Sequence, residues 1–390
     1  MDVLRRVPSA QSRALQLTDT SERRIAALRP LLLQLLQLVP DEPDRFRKTI
    51  QAAADREGPA LWPDLIASAS YHGVFGVLDW GSLPDANVSK EVQESTERRL
   101  AIQQIWHAHL LRGLETAVAA LAGEGIEACA VKGPVLAERL YAEPAARHCL
   151  DLDLLVRPED FDRAALVLAR AGYGTGDAAS TTYLRHYGHH VDFSGTGMAP
   201  IELHFRAYAG FGVELPASVL LDRAKPFRLS GALSVLAPSP EDEFVYLATH
   251  AAGHSFIRLV WLYDLKLLVR RYPSLDWDQV ASRAMALGVA MPVAYAARLL
   301  QVWLGVQVDG LPRSFLRPSV RSKMADRLLS EVSRPQPRSM RDNLGGLLFT
   351  SLLCDRLTSS AWLVQHHVLR STRRRLRQIA PALLPERWSA

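Results

Sequence analysis

Cysteine is scarce in this chain. Its 390 residues include three, Cys129, Cys149 and Cys354. The number is odd and no two stand at metal-ligand spacing, so neither a disulfide framework nor a cysteine zinc site is expected; this usage suits a reducing cytoplasm. Long apolar runs are missing as well. The longest nearly uncharged stretch, around Leu344–Cys354, is too short for a transmembrane segment, which needs about 20 residues. Asp2, Arg5 and Arg6 put charge at the start but no apolar run follows them, so no signal peptide is expected. Internal repeats and low-complexity tracts are also lacking.

What is present is ordinary globular material. With 48% hydrophobic and 22% charged residues there is enough for a sizeable core, and at roughly 150 residues per domain the length suggests about two or three domains. The net charge of +5 is local: from Asn343 onward seven arginines face only Asp355 and Glu386, so the rest of the chain balances to zero. The cluster Arg370, Arg373, Arg374, Arg375 and Arg377 reads as a solvated helix end, with weak RNA or anionic-lipid contact as the alternative. The aromatic interleaving of single-strand binders is missing from it.

Along the chain, Ile25, Leu28, Leu32, Leu35 and Leu36 recur at helical spacing up to Pro40, and Asp41–Arg56, Pro63–Tyr71 and residues 90–124 read as further helices. The texture then changes. Ile126–Val131 is strand-like, Val135–Tyr141 a short helix, Leu152–Val156 a strand, and Pro158 with Glu159 and Asp160 opens a helix ended by Gly172; Pro and acids suit a helix's first turn. His189–Phe193 and Pro200–Phe205 read as strands joined by the turn-rich run 194–197. Ser239-Pro240-Glu241-Asp242 and Asp276-Trp277-Asp278 then start helices. The expected fold is α+β: a mostly helical region over 1–124, a small mixed-sheet core over 125–210, a helical domain completing a cleft over 211–312, and a helical region with a basic tail over 313–390.

The chemistry-bearing stretch is Val131-Lys132-Gly133, a helix, Arg147, then Asp151-Leu152-Asp153-Leu154-Leu155-Val156. Residues i and i+2 of a strand share a face, so Asp151 and Asp153 present two carboxylates together. Such a pair is costly without a cation. Mg²⁺ takes carboxylate oxygens and keeps positions open for phosphates, and two ions could polarise a phosphate and activate a hydroxyl. Glu202, sharing a strand face with His204, is the first choice for a third acid, and Asp192 the second. Lys132 would sit either in solvent or beside the phosphates. Arg147 would contact phosphate or substrate, or else pair with Asp151 or Asp153. His204 would orient Glu202, contact substrate, or be a satisfied, partly buried histidine.

The run from Val131 to Tyr173, with "IELHFR", "SPEDEFVYLATHAAGH", "WLYDLKLLV" and "DWDQVASRAMALGV" downstream, resembles the uncharacterised nucleotidyltransferase family of the polymerase-beta-like superfamily, over about residues 100–305. The resemblance implies a nucleotidyltransferase core with NTP and Mg²⁺ as cosubstrates, and Asp151, Asp153 and Glu202 as catalytic metal ligands. Lys132-Gly133 stands where many relatives have Gly-Ser or Gly-Gly, which lets the backbone approach a triphosphate; Lys132, Gly133, Arg147 and His204 are the nucleotide-binding candidates. The acceptor is open between a natural product, a glycan precursor, another metabolite and RNA. A tRNA-modifying, toxin-like enzyme and a catalytically inactive nucleotide-binding protein are the alternatives. His250 and His254 have zinc-capable i, i+4 spacing, but Ala251 takes the place of a metalloprotease glutamate; a structural role is the first reading and a wall of the active site the second. His186, His189 and His190 read as a hydrated hairpin edge, with a metal site as the alternative.

Overall fold

The computed structural model describes residues 19–361 and 363, apart from 83–87, 177–183, 186–187, 230–233 and 333–339. His186 and the arginine cluster from Arg370 to Arg377 lie outside the described residues. The first part of the chain is helical: α1 (Asp19–Leu38), α2 (Pro43–Glu57), α3 (Leu61–Tyr71) and α4 (Lys90–Gly123). The periodicity of α1 buries Ile25, Leu32, Leu35 and Leu36, and the helix stops just before Val39-Pro40, where the residue preceding proline is pushed out of the helical region. Ser89 caps α4, its Oγ accepting from the Val92 N–H. Leu110, Leu114, Ala117 and Leu121 form its buried stripe.

The α/β core follows as β1 (Cys129–Val131), α5 (Gly133–Leu140), β2 (Leu152–Leu155), α6 (Phe161–Arg170), β3 (Gly174–Thr175), β4 (His190–Ser194) and β5 (Ile201–His204). After β6 (Arg206–Gly210) and β7 (Val213–Pro216), which form a separate two-stranded sheet, come α7 (Ser218–Leu221), β8 (Lys225–Arg228) and β9 (Ser234–Ala237). The main sheet is mixed and seven-stranded, in the order β3-β4-β5-β2-β1-β9-β8. Strands β8 and β9 do not stand out in the sequence, which reads as helical from residue 211. The reason is local: β8 is an edge strand whose Lys225, Pro226 and Arg228 replace apolar alternation with the residues that protect sheet edges.

Strand alternation divides the core in two. Ala130, Leu152 and Leu154 pack with the buried stripes of α4 and α6. Cys129, Val131 and Leu155 join the larger core shared with α1–α3 and with the later helices. Those are α8 (Pro240–Gly253), α9 (Leu259–Arg271), α10 (Trp277–Ala286), α11 (Ala290–Leu304), the short α12 (Arg313–Leu316), α13 (Val320–Val332) and α14 (Met340–Leu352). Ser239 caps α8 and Asp276 caps α10, each side chain accepting a backbone N–H three residues on. Among the described residues no helix is long and apolar enough to cross a membrane.

His72, fully buried at the end of α3, ties the early and late helices together. Its Nδ1 donates to the Ile257 carbonyl at 3.0 Å, and the Val260 N–H donates to its own carbonyl. Burial, reinforced by Arg29, holds the ring well below the usual histidine range. The unfolded chain therefore takes up a proton below about pH 6.5 that the folded chain refuses, and stability falls as pH drops through that window, by up to about 1.4 kcal/mol per pH unit. Urea unfolding at pH 7.5, 6.5 and 5.5 should show a shallower acid slope for His72→Asn than for the wild type. Equal slopes would remove His72 from the account.

Candidate active site

The centre of the sheet assembles the acidic residues. Asp153 in β2 is in register with Val131 of β1 on one side and Glu202 of β5 on the other, and Glu202 is in register with Asp192 of β4. One step along, His204 of β5 pairs with His190 of β4. Because register partners share a face, Asp153, Glu202 and Asp192 form one row, and His204 and His190 extend the next. Glu202 is the acid directly beside Asp153, and Asp192 lies one strand farther out.

Lys132 and Gly133 make the turn from β1 into α5. Both have positive φ, 52° and 49°. That conformation is costly for a lysine and persists only where its surroundings enforce it. Here the turn brings Lys132 Nζ back to 2.6 Å from Asp153 Oδ1, and 5.9 Å from the centre of the Tyr246 ring on α8. A Cβ on Gly133 would stand 3.3 Å from the Asp151 carbonyl oxygen, so glycine also supplies the space. His204, 1% exposed, places Nε2 at 3.1 Å from Asp153 Oδ1 and 3.4 Å from Glu202 Oε2.

The two aspartates experience opposite fields. Burial alone would raise Asp153, but Lys132 and the hydrogen bond from His204 overcome it and hold the carboxyl well below the usual range. Asp151 lacks such partners: burial, then the charges of Asp153 and Glu202, push it up to about 7. For Glu202 burial and the charge of Asp153 push up, but the His204 hydrogen bond, Lys132 and His190 together outweigh them, and the net direction is down. The carboxylates thus form an electrostatic sink that a divalent cation would relieve.

Ligand atoms of Asp153, Glu202 and His204 lie within 4.8 Å of one another, as do those of His190, Asp192 and Glu202, and those of His189, His190 and His204. Asp151 belongs to none of these groups. The oxygen donors and the unrelieved repulsion on Asp151 fit a hard divalent ion. On α8, His250 packs against a tilted His254 ring and edge-on to Trp261, with ring centres 4.6 and 5.3 Å away. Burial, then Lys132, hold His250 well below the usual range.

Arg147 goes elsewhere. Its Nε and Nη2 donate to Asp264 of α9 at 2.9 and 2.8 Å, and its Nη1 to the Gly133 carbonyl at 3.4 Å. Neither Asp151 nor Asp153 is its partner. Tyr141 donates to the same Asp264 at 2.7 Å. Arg139 of α5 is clamped in the same way by Glu243 of α8 at 2.9 Å. Two buried ion pairs therefore fasten the Lys132-Gly133 turn to the later helices. Sequence reasoning missed Tyr246, Asp264 and Glu243 as parts of this assembly. The available signal was a charge in an apolar setting: Asp264 stands in the run Leu262-Tyr263-Asp264-Leu265.

A family model described as an uncharacterised nucleotidyltransferase matches residues 58–305, more than half of the chain. No curated protein matches it.

Proposed function

Because the chain belongs to the uncharacterised nucleotidyltransferase family, we propose that it transfers a nucleoside monophosphate from an NTP to a hydroxyl-bearing acceptor, a natural product, glycan precursor or other metabolite, at Asp151, Asp153 and Glu202. The observation that carries this reading is the in-register Asp153–Glu202 pair set beside the Lys132-Gly133 turn. These carboxylates would hold Mg²⁺, as one or two ions. When bound, the ion would offset phosphate charge and lower the pKa of the attacking hydroxyl.

The protein's own residues do the rest. Gly133, without a side chain, leaves backbone open for a triphosphate to approach. Lys132 brings a fixed positive charge to the place where phosphate charge would gather. His204 bridges Asp153 and Glu202 and keeps both carboxylates oriented. The acceptor oxygen attacks the α-phosphorus, the α–β bridging P–O bond breaks, pyrophosphate leaves, and the hydroxyl proton passes to solvent. Arg147 serves by holding the Gly133 carbonyl, and so the turn, in place. The 2.6 Å Lys132–Asp153 contact favours one second reading, a nucleotide-binding protein whose internal ammonium replaces the metal.

Calorimetry separates the two. Mg²⁺-dependent binding of at least one of the four NTPs, weakened tenfold or more in Asp151→Asn and in Glu202→Gln, is the expected result. Binding that ignores Mg²⁺ would move the assignment to the second reading. A folded wild type that binds no NTP with Mg²⁺ present would overturn both.

A further inference from the structure

The histidines on the β4–β5 side of the sheet have no part in the proposed transfer beyond His204, yet they are arranged as a ligand set. His189, His190 and His204 each offer one ring nitrogen, and these atoms lie within 4.8 Å of one another. The rings face one another at 4.7 Å (His189–His190), 4.9 Å (His190–His204) and 5.4 Å (His189–His204) between centres. Packing three imidazoles this closely gains little by itself, because three bases with the same preference crowd one another.

The second observation concerns which nitrogens are used. His204 directs Nε2 to Asp153 Oδ1 at 3.1 Å, and His190 directs Nε2 to Asp192 Oδ1 at 3.4 Å. In both rings the opposite nitrogen, Nδ1, is buried with no hydrogen-bond partner. A carboxylate on one ring nitrogen and a buried nitrogen without a hydrogen bond on the other, with Glu202 Oε2 a further 3.8 Å from His190 Nδ1, is the arrangement that carboxylates impose on metal-ligating histidines, where the outer partner fixes the tautomer and raises the basicity of the inner nitrogen. An orphaned buried polar atom otherwise carries a desolvation cost, and here two such costs fall in one cluster. His189 completes the set.

We infer that His189, His190 and His204 form a binding site for a borderline divalent transition ion, Zn²⁺ above all, adjoining the carboxylate site through His204. Imidazole nitrogens suit zinc and its neighbours, whereas Mg²⁺ takes oxygen. Three nitrogen ligands leave a fourth position on zinc for water or a substrate atom.

The test uses the full chain, metal-stripped and without nucleotide, so its outcome is independent of the NTP reading. Zn²⁺ titration with excess Mg²⁺ present, and Co²⁺ titration followed by visible absorption, report the site. Expected is one Zn²⁺ that survives Mg²⁺ competition and a Co²⁺ spectrum typical of nitrogen ligation. His189→Gln and His190→Gln should each weaken Zn²⁺ tenfold or more, while Asp151→Asn leaves it within about twofold. Thermal unfolding checks that each variant is folded, and the Zn²⁺-induced rise in Tm should vanish in the two histidine variants. Displacement of Zn²⁺ by Mg²⁺ would overturn the site. So would a Zn²⁺ affinity unchanged in both histidine variants, or one that Asp151→Asn reduces as much as they do.

Discussion

Asp264→Ala should cost about 3–5 kcal/mol of folding stability, because it leaves a buried guanidinium without its anion. Asp264 is fully buried and accepts three hydrogen bonds, two from Arg147 and one from Tyr141. The Arg147 side chain is itself only 6% exposed, so water cannot take over. Its exposed counterpart is the Arg170–Glu124 pair, with side chains 71% and 52% exposed, for which Glu124→Gln should change stability by about 0.5 kcal/mol or less. Urea unfolding of both variants beside the wild type reads the contrast directly. The triple variant Arg147→Met/Tyr141→Phe/Asp264→Leu separates a stranded charge from lost attraction. If stranding dominates, it recovers most of the loss. A cost for Asp264→Ala near that of Glu124→Gln would mean that the clamp contributes little, and that the Lys132-Gly133 turn is held by packing alone.

The clamp also marks where sequence reading reaches its limit. Local signals transferred well. The Asp-Leu-Asp-Leu alternation became a strand with Leu152 and Leu154 in one core and Asp153 on the opposite face. Ser239 and Asp276 became the caps their positions suggested, and the α+β architecture with a mixed sheet stands. Each of these rests on neighbours within four residues. The partner of Arg147 lies 117 residues away, and no spacing rule connects them; of the two pairings weighed for this arginine, with Asp151 or Asp153, neither occurs. The positive φ of Lys132 is likewise invisible, since a lysine carries no preference for it and only the assembled site enforces it. Strand β8 escaped because an edge strand is protected by the residues that disguise it. His189 and His190 were legible as neighbours in the sequence. Their facing His204 was not, because it depends on the β4–β5 register.

Asp151 and Asp153, alike in sequence, should respond in opposite directions to mutation. Asp153 stands between Lys132 and His204, both buried or nearly so, and Asp153→Ala strands an ammonium in a poorly solvated site at a cost of about 3–5 kcal/mol. Adding Lys132→Met should return part of that loss, with the coupling read from a double-mutant cycle. Asp151 is opposed by burial and by its acidic neighbours, which lift it to about 7 from an ordinary 3.8. In the folded metal-free chain it binds a proton more tightly than in the unfolded chain, so wild-type stability falls as pH rises from about 4 to about 7. Asp151→Asn removes that decline. In EDTA the variant should match the wild type near pH 4 and exceed it at pH 8, by about 1–3 kcal/mol after discounting for partial solvent access. Mg²⁺ should close the gap by stabilising only the wild type, since an ion that binds the folded state alone adds to its stability. A residue whose removal strengthens the fold while abolishing Mg²⁺-dependent nucleotide binding is retained for chemistry. Unfolding curves at the two pH values, with EDTA and with Mg²⁺, measure all four corners. An Asp151→Asn protein less stable than the wild type at pH 8 in EDTA would show that Asp151 has a structural partner, and would remove the electrostatic case for a cation at this site.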